Sequence, residues 1–401
     1  MAISSRKARK SRFVTRLAWA AALLLLTATY VMADPMVVNC DQGQSINRML
    51  SKLEKHTPAT VMVKGTCTEY VLVNGFEGLT LKALPGATLQ QPSKDPSNGL
   101  VIHVLQILAS RGVTVDGFTI HSGPSALADV GIGKNSIDVE LHNLTVDGPS
   151  VFGIFVYESS QVSLARVTAR DPGYATVGVA DLSDVHIESS LFENTTGAQW
   201  HVGMEVDSGH VTIQTTTIRD MTIGIDINAH GSVDIQSFNS YYPIVQPTDV
   251  FIENPAGTNF YGVNVGNGSM LNLGDTKLRI TGAGQPWGAE TGGVSVNGGI
   301  LSAGVNLIVS GSQGQGVYLS GNSHASLAGS SITGSGHGGL VVTNLSTASV
   351  SAAPSPLTQI SGNGTDLFCD SKSVITGAIN IVNAVSVQCG NLLPGDNEGT
   401  P

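Results

Sequence analysis

Long runs of helix formers are almost absent from this chain, which excludes a helical bundle. Charge is sparse too: Asp, Glu, Lys and Arg make up only 12% of the residues and aromatics only 5%. The basic residues are concentrated at the start, at Arg6, Lys7, Arg9, Lys10, Arg12 and Arg16, ahead of an apolar run over 17–31. Val31-Met32-Ala33 then reads as a cleavage site, so 1–33 is expected to be a signal peptide and the mature chain to start near Asp34. The competing reading is an uncleaved anchor, but the run is shorter than the ~20 residues a span needs. No later stretch is long and apolar enough to cross a bilayer, so no membrane contact is expected after cleavage.

Removing 1–33 takes six basic and no acidic residues, leaving 14 basic against 30 acidic, a formal charge of −16 instead of −10. A nucleic-acid partner needs a basic footprint, and none is present. A polyanionic substrate would need an intervening cation. Cysteine is scarce as well, with four residues and no CxxC or Cys/His cluster, which argues against a zinc site. Export permits disulfides. Cys40–Cys67 and Cys369–Cys389 are the expected pairs, because each pair sits at one end of the chain.

What the chain does have is glycine, 48 residues of it, and many short segments rich in Val, Ile, Ser and Thr. Such segments, separated by Gly, Asn, Asp and Ser, favour an all-β solenoid, sandwich or barrel. Residues 153–236 decide among these. Four consecutive units open GIFVYESSQVSL, GVADLSDVHIES, GMEVDSGHVTIQ and GIDINAHGSVDIQ, and units opening at Gly131, Gly262, Gly293, Gly316 and Gly339 repeat the pattern. A common spacing of roughly 21–25 residues marks a solenoid, whose units bury their apolar faces only by stacking. Strand side chains alternate faces. The first and third residues after each Gly therefore point inward: Ile154 and Val156, Met204 and Val206, Ile225 and Ile227, Val263 and Val265, Val294 and Val296, Val317 and Leu319. Asp181 breaks this rule in the Gly178 unit, where a register shift is expected. Longer units over 237–260 and 281–292 imply excursions from the stack.

Ahead of the repeats, Ile46, Met49, Leu50 and Leu53 fall on one helical face, with Ser45 as a cap and Pro58 beyond the end. A helix here would cover the open apolar end of the stack. The chain thus divides into a signal peptide (1–33), an N-terminal cap with an amphipathic helix (34–59), a β-solenoid (60–390) and a disordered tail (391–401).

The GIFVYES, GMEVDSG, GIDINAH and GVYLSGN units resemble those of secreted bacterial right-handed parallel β-helix proteins of the pectate-lyase-like superfamily. The resemblance spans roughly residues 60–390, and the segments VNCDQGQSINRMLSKL, VKGTCTEYV and ISGNGTDLFCDS resemble terminal modules of an uncharacterised branch. It implies an all-β right-handed parallel β-helix, secreted, periplasmic or on the cell surface, with an extracellular glycan as partner. The superfamily holds lyases, hydrolases, epimerases, esterases, adhesins and tailspikes, so the fold does not choose an activity. Its calcium-dependent lyases use a basic proton abstractor beside the metal. Here Arg166, Arg170 and Arg219 lie on other stretches. Gly336-His337-Gly338 sits in a Gly/Ser-rich turn remote from Glu205.

The second and fourth residues after each Gly should face outward and stack along the axis: Phe155 and Tyr157, Ala180 and Leu182, Glu205 and Asp207, Asp226 and Asn228, Asn264 and Gly266. With coils ~4.8 Å apart, Glu205 sits beside Asp226 and Asp207 beside Asn228. Glu205, Asp207 and Asp226 are the candidate catalytic carboxylates, since a close pair suits retaining glycoside hydrolysis and repulsion raises one pKa. The same three, with Asn228, offer oxygen ligands for Ca²⁺. Tyr157, Asn228, Asn264, Trp200, His201, Tyr241 and Tyr242 are candidate glycan-binding residues, and Trp287 is a further stacking surface. A solvated outer face on a non-catalytic, adhesin-like rod accounts for the same acidic residues.

Overall fold

The protein is described by a computed structural model over residues 36–393, apart from 94–102, 149, 198–199, 238–248, 255–259, 287–290, 351–357, 378, 382–386 and 390–391. The chain divides into two units, Met1–Pro35 and Met36–Pro401, and every described residue belongs to the second. The expected signal segment, Tyr241, Tyr242, Trp287 and all of the expected tail but Leu392–Leu393 lie outside the described residues.

The second unit is an all-β parallel solenoid built from sheets of 15, 13 and 13 strands. Each coil gives one strand to each sheet. Phe152–Val156 joins the second sheet, Gln161–Ala165 the first and Thr168–Arg170 the third, before Ala175–Ala180 returns to the second. The alternation in sequence becomes a continuous apolar interior. Ile154, Val177, Met204, Ile225, Val263 and Val294 follow one another in register, and all are fully buried. Among the described residues no helix is long and apolar enough to cross a membrane.

The repeated glycines have a packing reason. A Cβ on Gly262 would lie 2.5 Å from the Gly293 carbonyl oxygen and 2.5 Å from Ile280 Cγ2. Gly203, Gly224, Gly293 and Gly316 are equally tight against the next coil's carbonyl and a third-sheet Ile or Val methyl. These inward glycines let the third sheet close against the backbone of the second. Gly262→Ala is expected to cost roughly 1–3 kcal/mol through overpacking. An unfolding midpoint in urea equal to that of the parent would contradict this packing account.

Gly131 and Gly178 do not belong to this ladder. Gly131 pairs with Gln106 and Phe155, and Gly178 with Phe155 and Glu205, which places both on the outer face. The expected register shift in the Gly178 unit is therefore real. Ala180, not Leu182, sits beside Asp207. Asp181 and Leu182 turn the corner with positive φ, leaving Leu182 79% exposed. Among the described residues, three ladder positions hold polar residues, Asp129, Thr176 and Asp366, all fully buried. At the neighbouring corner, buried serines carry a ladder that the sequence reading missed. The Ser110, Ser136 and Ser160 amides donate to Ser136, Ser160 and Ser183 Oγ at 3.3, 3.3 and 3.1 Å.

The solenoid begins before the cap helix, since Met36–Asn39 is already the edge strand of the first sheet. The helix itself covers only Ile46–Leu50. Ser45 caps it as expected, accepting from the Arg48 amide, and Ile46 and Leu50 are buried against the first coil. Glu69 anchors the helix start, accepting from the Ile46 amide at 2.6 Å and Ser45 Oγ at 2.8 Å, where the partial positive charge of a helix N-terminus favours a carboxylate. Cys40–Cys67 is a disulfide spanning 27 residues. Cys369 is disulfide-bonded, and its register partner on the next coil is Cys389. The longer unit over 237–260 is only partly an excursion, because Val250–Glu253 is a regular rung of the third sheet.

Candidate functional site

The outer face of the second sheet gathers the candidate residues because its strands run in register. Glu205 pairs with Asp226 and Asp207 with Asn228, as the spacing predicts, and Asp226 pairs with Asn264 on the following coil. Tyr174 Oη donates to Glu205 Oε1 at 2.8 Å, and Asn264 Nδ2 donates to Asp226 Oδ1 at 2.8 Å. Burial pushes the Glu205 pKa above the usual carboxylate range. The Tyr174 hydrogen bond opposes this, and the charges of Asp226 and Asp207 add to it. Asp226 is also raised, chiefly by burial, against hydrogen bonds from Asn264 and Asn228 and with the Asp207 charge in support. Tyr174 is itself shifted upward, first by burial and then by Glu205, so it stays a donor. Burial thus raises the pKa of both members of the pair.

On its N-terminal side the carboxylate stack meets an aromatic platform. Phe152 stacks on Phe155 at 4.6 Å and Phe155 on Tyr157 at 5.0 Å, with Tyr174 edge-on to Phe152 at 5.8 Å. The platform lies flat because glycines lie beneath it. A Cβ on Gly178 would fall 2.7 Å from Phe152 Cδ1, and one on Gly133 would fall 2.5 Å from Tyr157 Cε2. Gln106 Nε2 donates to Tyr157 Oη at 3.4 Å, and the His103 ring lies 6.1 Å from that of Tyr157. His103 is buried, which lowers its pKa to about 4 and keeps it neutral.

Phe152 and Tyr174 were missed in the sequence because neither stands at the expected outward positions after Gly153. The available signal was clustering: of the chain's 21 aromatics, four fall between residues 152 and 174. Trp200 is 63% exposed and stacks on Phe260 at 5.3 Å, one coil corner away from the platform. His201 is buried, which lowers its pKa, so it presents little surface to a ligand. The other histidines of this region belong elsewhere. His210 lies on the first sheet between Asp184 at 2.8 Å and Asp234 at 3.2 Å, and the Asp184 hydrogen bond leads the rise of its pKa.

Calcium fits this face poorly. Among the described residues the one group of three His, Cys, Asp or Glu ligand atoms within 4.8 Å of one another is Cys40, Cys67 and Glu69, whose cysteines are disulfide-bonded. Glu205, Asp207 and Asp226 do not converge in that way. The amide and hydroxyl donors already occupy oxygens a cation would need. The thirteen strands of the second sheet also hold no Lys or Arg. Among the described residues, the strands of this face present no three-carboxylate metal cluster and no Lys or Arg.

The fold and this face define a class: a parallel β-solenoid carrying an aromatic–carboxylate surface on one sheet. No protein-family model matches the chain. No curated protein matches it. Among solved structures it is similar to the catalytic domain of a GH87 α-1,3-glucanase in complex with tetrasaccharides, at 12% identity over 90% of this chain and 68% of that one, with a TM-score of 0.46. It is also similar to PfbA, a surface adhesin of Streptococcus pneumoniae, at 10% identity over 87% of this chain and 93% of that one, with a TM-score of 0.39. At these identities the similarity concerns the solenoid fold alone.

Proposed function

We propose that this protein is an extracellular glycan-active solenoid that binds and hydrolyses a neutral polysaccharide on the outer face of its second sheet. One observation carries the reading: a flat aromatic platform runs directly into a carboxylate pair on adjacent coils, in which Tyr174 of the platform donates to Glu205 and Asn264 donates to Asp226. Aromatic rings supply apolar area for the flat faces of sugar rings. The absence of Lys and Arg from these strands favours a neutral chain over a polyuronate.

Glu205 is assigned as the general acid. Burial and neighbouring charge favour its protonated form, and protonation of the departing glycosidic oxygen needs such a group. Asp226 is assigned as the partner carboxylate, held by the Asn264 and Asn228 amides, whose hydrogen bonds oppose the burial that raises its pKa. The two stand on adjacent coils, and the ~4.8 Å strand spacing is close to the ~5–5.5 Å carboxyl separation of retaining enzymes.

The test is release of reducing ends from a panel of neutral polysaccharides. Turnover of at least one is expected; none from the whole panel would sink the hydrolase reading. Tyr174→Phe adds a sharper check. Tyr174 holds the Glu205 pKa down, so its removal raises that pKa further. An acid works while protonated, so the alkaline limb of the kcat/KM profile is expected to move to higher pH. An unmoved limb would remove Glu205 from the role of acid.

A further inference from the structure

The same outer face carries a second concavity, well away from the carboxylates. A groove of about 580 Å³ lies over the strands Gln315–Ser320, Gly338–Val342 and Thr365–Cys369. That volume falls within the roughly 300–1,000 Å³ of small-ligand sites. Tyr318 and Phe368 stand in one outward row with Val341 between them. Their side chains are thus two coils apart, roughly 9–10 Å at ~4.8 Å per coil. This is close to the length of two linked pyranose rings. Gly336 and Gly338 leave backbone in place of side chains along one wall, which opens the space between the rings. Gln315, Thr343 and Thr365 supply uncharged hydrogen-bonding groups, and His337 is held at the rim by the Pro286 carbonyl at 2.6 Å.

Among the described residues no Asp, Glu, Lys or Arg lines the groove, although the chain as a whole carries a net charge of −10. Four coil steps separate Glu205 from Tyr318 in register, on the order of 19 Å. The groove is therefore a separate site and does not depend on the carboxylate pair. We propose that it binds a neutral pyranose oligosaccharide, with Tyr318 and Phe368 stacking on alternate rings.

The test uses isothermal titration with neutral hexose oligosaccharides of about six units from several linkage types, and with an oligogalacturonate as a charged control. It is run on the full mature chain and on the Phe155→Ala/Glu205→Gln variant, whose carboxylate face is disabled. The variant is expected to keep binding at least one neutral oligosaccharide and not the charged one. Adding Tyr318→Ala or Phe368→Ala should weaken that binding tenfold or more, with an unchanged melting temperature, while Tyr318→Phe should retain it. The inference is overturned if the variant binds no neutral oligosaccharide, or if both alanine substitutions leave binding unchanged. Equal binding by parent and variant would count against the carboxylate face as a glycan site and leave the groove standing.

Discussion

Under the proposed hydrolase reading, Glu205→Gln and Asp226→Asn are each expected to lower reducing-end release by roughly 10²–10⁴-fold, the loss that follows when a positioned acid or its partner is removed. Both residues face outward, and both replacements keep the side-chain shape, so the solenoid interior is untouched. Asn at 226 can still meet the Asn264 amide through its own carbonyl oxygen. Stability is therefore expected to stay within about 0.5 kcal/mol of the parent. That separates a catalytic loss from a folding loss. Residual activity within a few-fold of the parent in either variant would mean that the pair does not perform the chemistry.

The second large effect concerns stability. Asp129 is fully buried at a ladder position that most coils fill with glycine, and Ser150 Oγ donates to its Oδ2 at 2.9 Å. Burial raises its pKa to about 7 against an ordinary 3.8, with the Ser122 and Ser150 hydrogen bonds opposing the shift. The sign follows from proton counting. Between these two values the native state holds a proton that the unfolded state has lost. The Asp129 contribution to stability is then greatest below about pH 3.8, falls as pH rises towards 7, and stays reduced above it. A shift of about three pKa units corresponds to a penalty on the order of 4 kcal/mol at alkaline pH. Asp129→Asn removes the charge with little change of shape. It is expected to raise the melting temperature at pH 8 and to abolish most of the difference between pH 4 and pH 8. A variant less stable than the parent at pH 8 would show that the carboxylate is ionised and satisfied in the folded protein.

The architecture was legible because its physics is local. Apolar residues at alternate positions, a glycine opening each unit and a regular spacing all demand stacked parallel strands, and Ile154 through Leu319 fall inside as the alternation requires. The register of Glu205 with Asp226 followed from two adjacent units of equal phase. The same reasoning misplaced Leu182, because it took Gly178 as an opening glycine. That residue is instead the flat seat beneath Phe152 and Phe155. Nothing in one isolated unit separates a glycine needed inside for a neighbouring isoleucine from one needed outside for an aromatic ring. Tyr174 was hidden for a related reason. It lies just before its strand, and only the stacking of coils brings its hydroxyl to Glu205, 31 residues away. His201 erred in the other direction: proximity in sequence suggested the groove, whereas the chain turns the residue into a buried position.

The central claim is that the aromatic–carboxylate face of the second sheet is where a polysaccharide lies. Affinity electrophoresis of the chain from residue 34 onward through gels containing soluble neutral polysaccharides tests it most directly, with parent, Phe155→Ala and Tyr157→Ala run side by side. The account predicts that at least one polysaccharide retards the parent and that both substitutions relieve most of the retardation. Equal retardation of all three proteins, or none by any polysaccharide, would contradict it.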